Sequence, residues 1–248
     1  AIMKKQNYEF YLTILLVLIH SSTFSQILSI DHADNNVIGW SGYTEIDFDY
    51  NKSTKTDWEL VNNTYLKFRW SQFAFIFMNE IDLNRAGNSV LPNVGYQHLR
   101  SIYDFNTNLS IEAFLQNQYD LVQNIKNRRL LGLGIKTQIR DSNYLGVSIF
   151  YEHENLIDNY LNTCYRLNVY NQLTFHLLNN IILSSFLYLQ PRINDISDLR
   201  LSFRTNISIP IYKQIFFSVT TLFSHDSSPA ISIPKTNYQI LNGLKYKF

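Results

Sequence analysis

The chain has 248 residues, 46% of them hydrophobic and 15% aromatic, enough for one sizeable core, and no Gly/Pro/Ser-rich stretch divides it. Its 21 basic and 20 acidic side chains leave a formal charge of +1 and are scattered along the sequence, so no basic stripe offers a nucleic-acid site.

The first element is a leader. Met3, Lys4 and Lys5 form a charged start, Phe10 to Ile19 an apolar run, and Thr23 and Ser25 place small residues at the minus-three and minus-one positions of a cleavage site. This layout predicts a cleaved signal peptide over residues 1–25 and a short periplasmic segment over 26–37. The alternative, an uncleaved membrane anchor, needs roughly 20 apolar residues, about twice the run present. Cys164 has no second cysteine to pair with and lies far from the cleavage site, so it reads as a structural thiol.

Beyond Gln26 the apolar residues recur with period two almost to the C-terminus, which predicts an all-β chain. Twelve strands are expected: Ile38 to Tyr50, Trp58 to Trp70, Phe73 to Leu83, Val94 to Phe105, Leu109 to Leu121, Arg128 to Arg140, Tyr144 to Glu154, Thr163 to Phe175, Ile181 to Gln190, Leu199 to Ile209, Ile215 to Phe223 and Asn237 to Phe248. Short links such as Ser71 with Gln72 alternate with longer ones such as Asn84 to Asn93 and Ser224 to Thr236. An even strand count with short turns at one end and longer loops at the other matches a 12-stranded antiparallel transmembrane β-barrel of the outer membrane, over residues 38–248.

Alternation alone does not say which face is wet. The face that includes Ile46, Phe48, Leu66, Phe68, Phe75, Leu133 and Ile135 is apolar enough for lipid. The other face carries Glu45, Asp47, Lys67, Glu80, Arg100, Glu112, Lys136, Arg166 and Arg204, too many charges for a dry core unless each is paired. The strands are as long as a tilted spanning strand requires, and Trp40, Tyr50, Trp58, Trp70 and Tyr144 sit near strand ends where an interfacial girdle belongs. These features orient the apolar face towards lipid. The chain ends with Leu244, Tyr246 and Phe248 on one face, the pattern of a C-terminal strand read by the barrel-assembly machinery, with Tyr246 and Phe248 as the assembly signal.

Between Gly95 and Lys136 the chain carries His98, Leu99 and Arg100, then Glu112, Ala113 and Phe114 followed by Gln116 and Gln118, and finally Arg128, Leu131, Gly132 and Gly134. These motifs resemble the central block of the domain-of-unknown-function-481 family. The resemblance implies an outer-membrane protein of the kind called salt-induced; Ser101 and Ile102 depart from the family pattern. Heavy use of Asn, Ile, Lys and Tyr also looks like a Bacteroidota protein.

On the water face His98 and Arg100 should stand across a hairpin from Glu112, Gln116 and Gln118, with Arg100 close to opposite Glu112. Gly132 and Gly134 should make room for a neighbour's bulk, with Phe114 to fill it; a ligand cleft is the alternative. The charges are sorted by strand. Glu45, Asp47, Glu80, Glu112, Glu152 and Glu154 lie on odd-numbered strands, and Lys67, Arg100, Arg128, Lys136, Arg166, Arg204 and Lys245 on even ones. Strands eight to twelve contribute only positive charge, which predicts one mixed wall and one basic wall. Two lumens fit: a narrow pore passing small hydrophilic solutes or ions, or a structural barrel closed by ion pairs and by inward Tyr65, Phe114, Phe150, Tyr170, Phe186 and Tyr188.

Catalytic signatures are scarce. There is no P-loop, dinucleotide fingerprint or paired-cysteine metal motif, and no cofactor is expected. His98 with Glu112 supplies too few ligands for a metal. The one pattern worth weighing is His225 with Ser227, a His-x-Ser pair of the kind used by outer-membrane phospholipases and lipid A deacylases; it runs into Ser228 and Pro229 and reads better as a surface loop. The expectation is a non-enzymatic barrel in contact with outer-membrane lipid and lipopolysaccharide, with a lipid hydrolase as the alternative.

Overall fold

The computed structural model describes residues 38–248 except 53–55, 87–88, 91–93, 141 and 178–179. The expected signal peptide and the segment over 26–37 lie outside the described residues, as do the side chains of Asp49 and Tyr50.

Twelve long strands form the wall: β1 (Gly39–Lys52), β2 (Thr56–Trp70), β3 (Phe73–Ala86), β5 (Val94–Asp104), β6 (Leu109–Asp120), β7 (Ile125–Arg140), β8 (Asn143–Leu156), β9 (Leu161–His176), β10 (Ile182–Arg192), β11 (Asp195–Tyr212), β12 (Ile215–Asp226) and β13 (Thr236–Lys247). A two-residue piece, β4 (Ser89–Val90), pairs with the end of β3 in a loop. Each long strand pairs antiparallel with its neighbours in sequence, with β3 passing to β5, and β1 closes on β13, so the sheet is a barrel. Among the described residues no helix is long and apolar enough to cross a membrane.

The last residue takes part in the closure. The β1–β13 ladder runs from Tyr43 opposite Lys247 to Asp47 opposite Gly243. Phe248 extends it, donating its N–H to the Gly42 carbonyl at 3.0 Å and accepting from the Gly42 N–H at 3.1 Å. At the same end the two-residue links Ser71–Gln72 and Lys213–Gln214 turn the chain tightly, and Ser71 and Lys213 adopt left-handed φ values of 52° and 46°.

The alternation sorts the two faces as expected. Leu99, Leu115, Leu131, Leu133 and Ile135 are exposed on the outside, while Glu45, His98, Glu112, Glu152 and Arg166 are buried inside. An ordinary globular domain has the opposite arrangement, and it is the hydrocarbon of a bilayer that makes this one favourable. Trp40, Trp70, Tyr212 and Tyr246 are exposed around one rim, and Tyr160 and Tyr238 around the other. Tyr144 corrects the expected girdle: it is buried inside, with the Lys136 ammonium 4.5 Å above its ring. A lumen cation offers that ring a stronger electrostatic partner than the membrane interface does.

Several strands are longer than the sequence suggested. The expected strands end at Gln190 and resume at Leu199, yet β10 reaches Arg192 through a bulge at Pro191/Arg192 and β11 starts at Asp195. Strand β12 likewise runs to Asp226 rather than stopping at Phe223. Both extensions bring acidic side chains into the barrel.

Candidate functional site

The waist of the lumen is built around Arg100. Its Nε–H donates to His98 Nε2 at 3.3 Å, which leaves the imidazole proton on Nδ1, 3.2 Å from Gln116 Oε1. Gln116 in turn donates its side-chain N–H to Gln118 Oε1 at 2.7 Å. The spacings His-x-Arg and Phe-x-Gln-x-Gln thus put every second residue on the inner face of two paired strands, where they form one directed hydrogen-bond chain. With both ring nitrogens engaged, His98 is a relay in that chain rather than a metal ligand.

Arg100 lies opposite Phe114, and Glu112 is one diagonal step away, opposite Ile102. The ion pair expected between Arg100 and Glu112 therefore runs along the diagonal, 3.4 Å from Nη1 to Oε2. The guanidinium is held between two rings, 5.9 Å from Phe114 and 5.8 Å from Tyr170. The Tyr170 hydroxyl donates to Glu112 Oε1 at 2.9 Å, and its ring stacks on Tyr188 at 5.5 Å. Tyr170 belongs to β9 and Glu112 to β6, so this contact bridges strands three apart in the wall.

Glycines make the rings fit. Gly132 faces Phe114, and a Cβ there would come 2.2 Å from the Phe114 ring; a Cβ at Gly146 would come 2.1 Å from the Tyr170 ring. Gly132 and Gly134 are packing positions, with Phe114 filling the space over Gly132 and Ser148 lying against Gly134.

Towards the rim that carries the loops after β6, β8, β10 and β12 lies a second cluster, centred on Glu152. Arg128 Nε reaches Glu152 Oε1 at 2.9 Å, Arg166 Nε reaches Oε2 at 2.7 Å, and Arg200 Nη1 also meets Oε1. Arg200 donates further to Glu154 at 3.2 Å and to Asp226 Oδ2 at 2.8 Å. Arg166 donates to Asp198 Oδ1 at 2.9 Å and to the Gln190 and Asp198 carbonyls. Cys164 Sγ lies 3.8 Å from Glu152 Oε2, so the lone cysteine is a buried neighbour of this network.

These contacts overturn the basic wall. Strands β9–β13 do not carry positive charge alone: Asp198 and Asp226, placed on β11 and β12 by the strand extensions, neutralise Arg166 and Arg200. Arg204 reaches across from β11 to Glu80 on β3 at 3.5 Å, and Lys245 pairs with Glu45 at 3.1 Å. Lys245 also donates to Asn206 Oδ1 at 3.0 Å and sits 4.9 Å from the Tyr43 ring. Asp47 is buried against Gly243, and Lys67 is buried with the rest of the inner face. Sequence reading missed Asp198 and Asp226 because the expected strands stop short of both, at Leu199 and Phe223, and only the continued ladders place them on the inner face, Asp226 directly opposite Arg200.

His225 and Ser227 do not meet each other. His225 Nδ1 lies 2.9 Å from Thr236 Oγ1. Ser227 donates to the Ser197 carbonyl at 2.7 Å and accepts from the Leu199 N–H at 2.8 Å, which ties the loop after β12 to β11. Among the described residues no group of three or more His, Cys, Asp or Glu could hold a metal ion.

Solved structures share the architecture. The NanC porin aligns with a TM-score of 0.53 at 8% identity, covering 83% of this chain and 100% of that one. The KdgM porin aligns with a TM-score of 0.44 at 16% identity, covering 84% and 99%. At such identities the likeness is one of fold, that of a porin-like outer-membrane barrel. Among curated proteins nothing matches. The family model described as "Protein of unknown function, DUF481" matches residues 48–248, and with the motif residues from His98 to Gly134 inside that span, the chain belongs to this family.

Proposed function

We propose that this protein is an outer-membrane barrel closed at its waist, a structural element of the envelope rather than an open passive pore or an enzyme. One observation carries the reading. In a water-filled channel the wall charges are wet, whereas Glu45, Glu112, Glu152 and Arg166 are each 0% exposed. Side chains occupy the lumen: the rings of Tyr65, Phe150, Phe186 and Tyr188 are buried beside the paired charges. Twelve strands lie between the roughly eight that side chains can fill and the roughly sixteen that leave an aqueous channel, and large rings and guanidinium groups make up the difference.

The charges serve this closure. Unpaired, each would cost several kcal/mol out of water; paired and hydrogen-bonded, they define one packing of the lumen. In this reading Tyr246 and Phe248 present the C-terminal strand to the barrel-assembly machinery, and the outer face meets lipid and lipopolysaccharide.

The test is conductance in a planar bilayer, on protein shown to be folded by heat-shifted gel mobility. The expected result is no steady conductance. Regular openings of the wild-type protein would overturn the closed reading and leave a narrow pore for small solutes.

A further inference from the structure

Above the Glu152 cluster, at the rim that carries the loops after β6, β8 and β12, the barrel holds a cavity of about 240 Å³. Its floor is the upper edge of that cluster, Arg200 with Glu154 and Asp226. One wall is the loop after β12, and the others come from the loops after β6 and β8 and the strand ends beside them. The closure of the waist makes no use of this space.

The walls are pinned in place. Ser227 donates its hydroxyl to the Ser197 carbonyl at 2.7 Å and its N–H to the Leu199 carbonyl at 3.0 Å. The Asp226 N–H donates to the Lys235 carbonyl at 2.8 Å, so both ends of the loop after β12 are tied, and within it the Ile233 N–H donates to the Ala230 carbonyl at 3.1 Å. On the other side the Ile157 N–H donates to the Asn124 carbonyl at 2.9 Å, which joins the loops after β6 and β8. Asn124 and Asn159 make the turns in those loops with left-handed φ values of 60° and 63°. A site ordered in advance loses little conformational entropy on binding.

Size, polarity and charge of the lining narrow the class of ligand. About 240 Å³ is below the roughly 300–1,000 Å³ of pockets that take drug-sized molecules, which leaves room for one small ring. Ile125, Leu156, Pro229 and Ile233 make part of the lining apolar, while Gln123 and Asn162 supply amides. Gln123 Nε2 is buried with no hydrogen-bond partner among the described residues, a donor that an incoming acceptor would satisfy. Charge is governed by pairing. Among the described residues of the lining Arg200 alone is basic, and its Nε serves Asp226, its Nη1 Glu152 and its Nη2 Glu154, so no guanidinium nitrogen is left for an anion. The same bonds neutralise Glu154 and Asp226, and Asp226 Oδ1 also accepts the Ser228 N–H at 2.9 Å. Asp158, the remaining acid, is exposed to water, where screening weakens its hold on a cation.

We propose that this cavity binds a single ring of a neutral sugar at the cell surface. A pyranose combines the two characters of the lining: C–H faces for Ile125, Leu156 and Pro229, and hydroxyls that each donate and accept. The hydroxyls donate to the carboxylates of Glu154 and Asp158, whose bonds to Arg200 and to the Tyr160 N–H leave lone pairs over. They accept from Gln123 Nε2 and from Asn162 Nδ2, whose bond to Glu154 is a long 3.5 Å. An acidic sugar would set its own carboxylate beside Glu154 and Asp158 with no free cation to meet it, and an amine would find the acids of the floor already paired. The cavity lies above the waist, so the inference stands whether or not the lumen conducts, and it takes from the outer-membrane reading only the side of the membrane it faces.

Saturation-transfer NMR on the folded barrel, in an amine-oxide detergent that carries no sugar, tests it. The probes are the methyl glycosides of glucose, galactose, mannose and N-acetylglucosamine, with glucuronate and glucosamine as anionic and cationic counterparts. The expected result is transfer from the protein to the ring protons of at least one neutral glycoside, and less to the charged pair. Ala230→Trp, which fills the cavity, should abolish that transfer. Gln123→Leu, which removes the buried donor, should weaken binding about fivefold, as the loss of one hydrogen bond does. Folded protein with no transfer to any neutral glycoside would overturn the proposal, as would a signal unchanged in both variants or one confined to glucuronate or glucosamine. Conductance is read separately, so failure of the sugar site leaves the closed waist standing, and openings of the wild type leave the sugar site standing.

Discussion

Phe114 and Gly132 face each other across the β6–β7 ladder so closely that the glycine's missing Cβ is the space the ring occupies. That ring is also one wall of the Arg100 site and lies 5.5 Å from His98, so its position carries to the whole waist. Gly132→Ala should force the ring aside and cost about 1–3 kcal/mol, the usual range for overpacking. Urea unfolding followed by heat-shifted mobility measures this. In Phe114→Ala the added methyl should cost much less than in the wild type, and equal costs in the two backgrounds would sink the steric account.

Glu152 is the shared partner of Arg128, Arg166 and Arg200. Removing it leaves three guanidinium groups short of a counter-charge in a dry lumen, so Glu152→Ala should destabilise the barrel by roughly 3–5 kcal/mol. Arg166→Met on top of Glu152→Ala should recover part of that loss. A double variant no more stable than Glu152→Ala alone would show that the network does not act through charge pairing.

If the stacked Tyr170 and Tyr188 are part of the seal, cutting both back should open it. Tyr170→Ala/Tyr188→Ala is expected to show conductance in planar bilayers under conditions where the wild type is silent. A folded double variant that stays silent would move the seal to the Glu152 cluster.

Ser227 is read as a loop tie. Ser227→Ala loses one accepted and one donated hydrogen bond, which should cost about 1 kcal/mol and make the loop after β12 cleave faster with an added protease. Phospholipid turnover in the membrane should not change, and a loss of turnover with that one hydroxyl would return the lipase reading.

The architecture was legible in the chain because a strand's side chains alternate with period two whatever surrounds it. From that came the strand count, the two faces and the inward set from Glu45 to Lys245, and the His98 to Gly134 motifs carried the family. Strand ends were less legible: the expected strands leave 191–198 unassigned, and only the resumed ladder places Asp198 inside the barrel. Tyr144 shows the same limit, since its place near a strand end suits the girdle and only the lumen supplies Lys136 above it.

What tertiary structure alone decided is who meets whom across the lumen and around the wall. Arg204 finds Glu80 because closing twelve strands brings distant walls within a side chain's length, and Tyr170 finds Glu112 and Arg200 finds Glu152 because the wall's curvature brings strands three apart together. The cavity at the rim is likewise invisible along the chain, because Gln123, Asp158 and Pro229 belong to three separate loops that the closed barrel gathers. Period and composition are local properties, and pairing partners and closed lumens are properties of the assembled sheet.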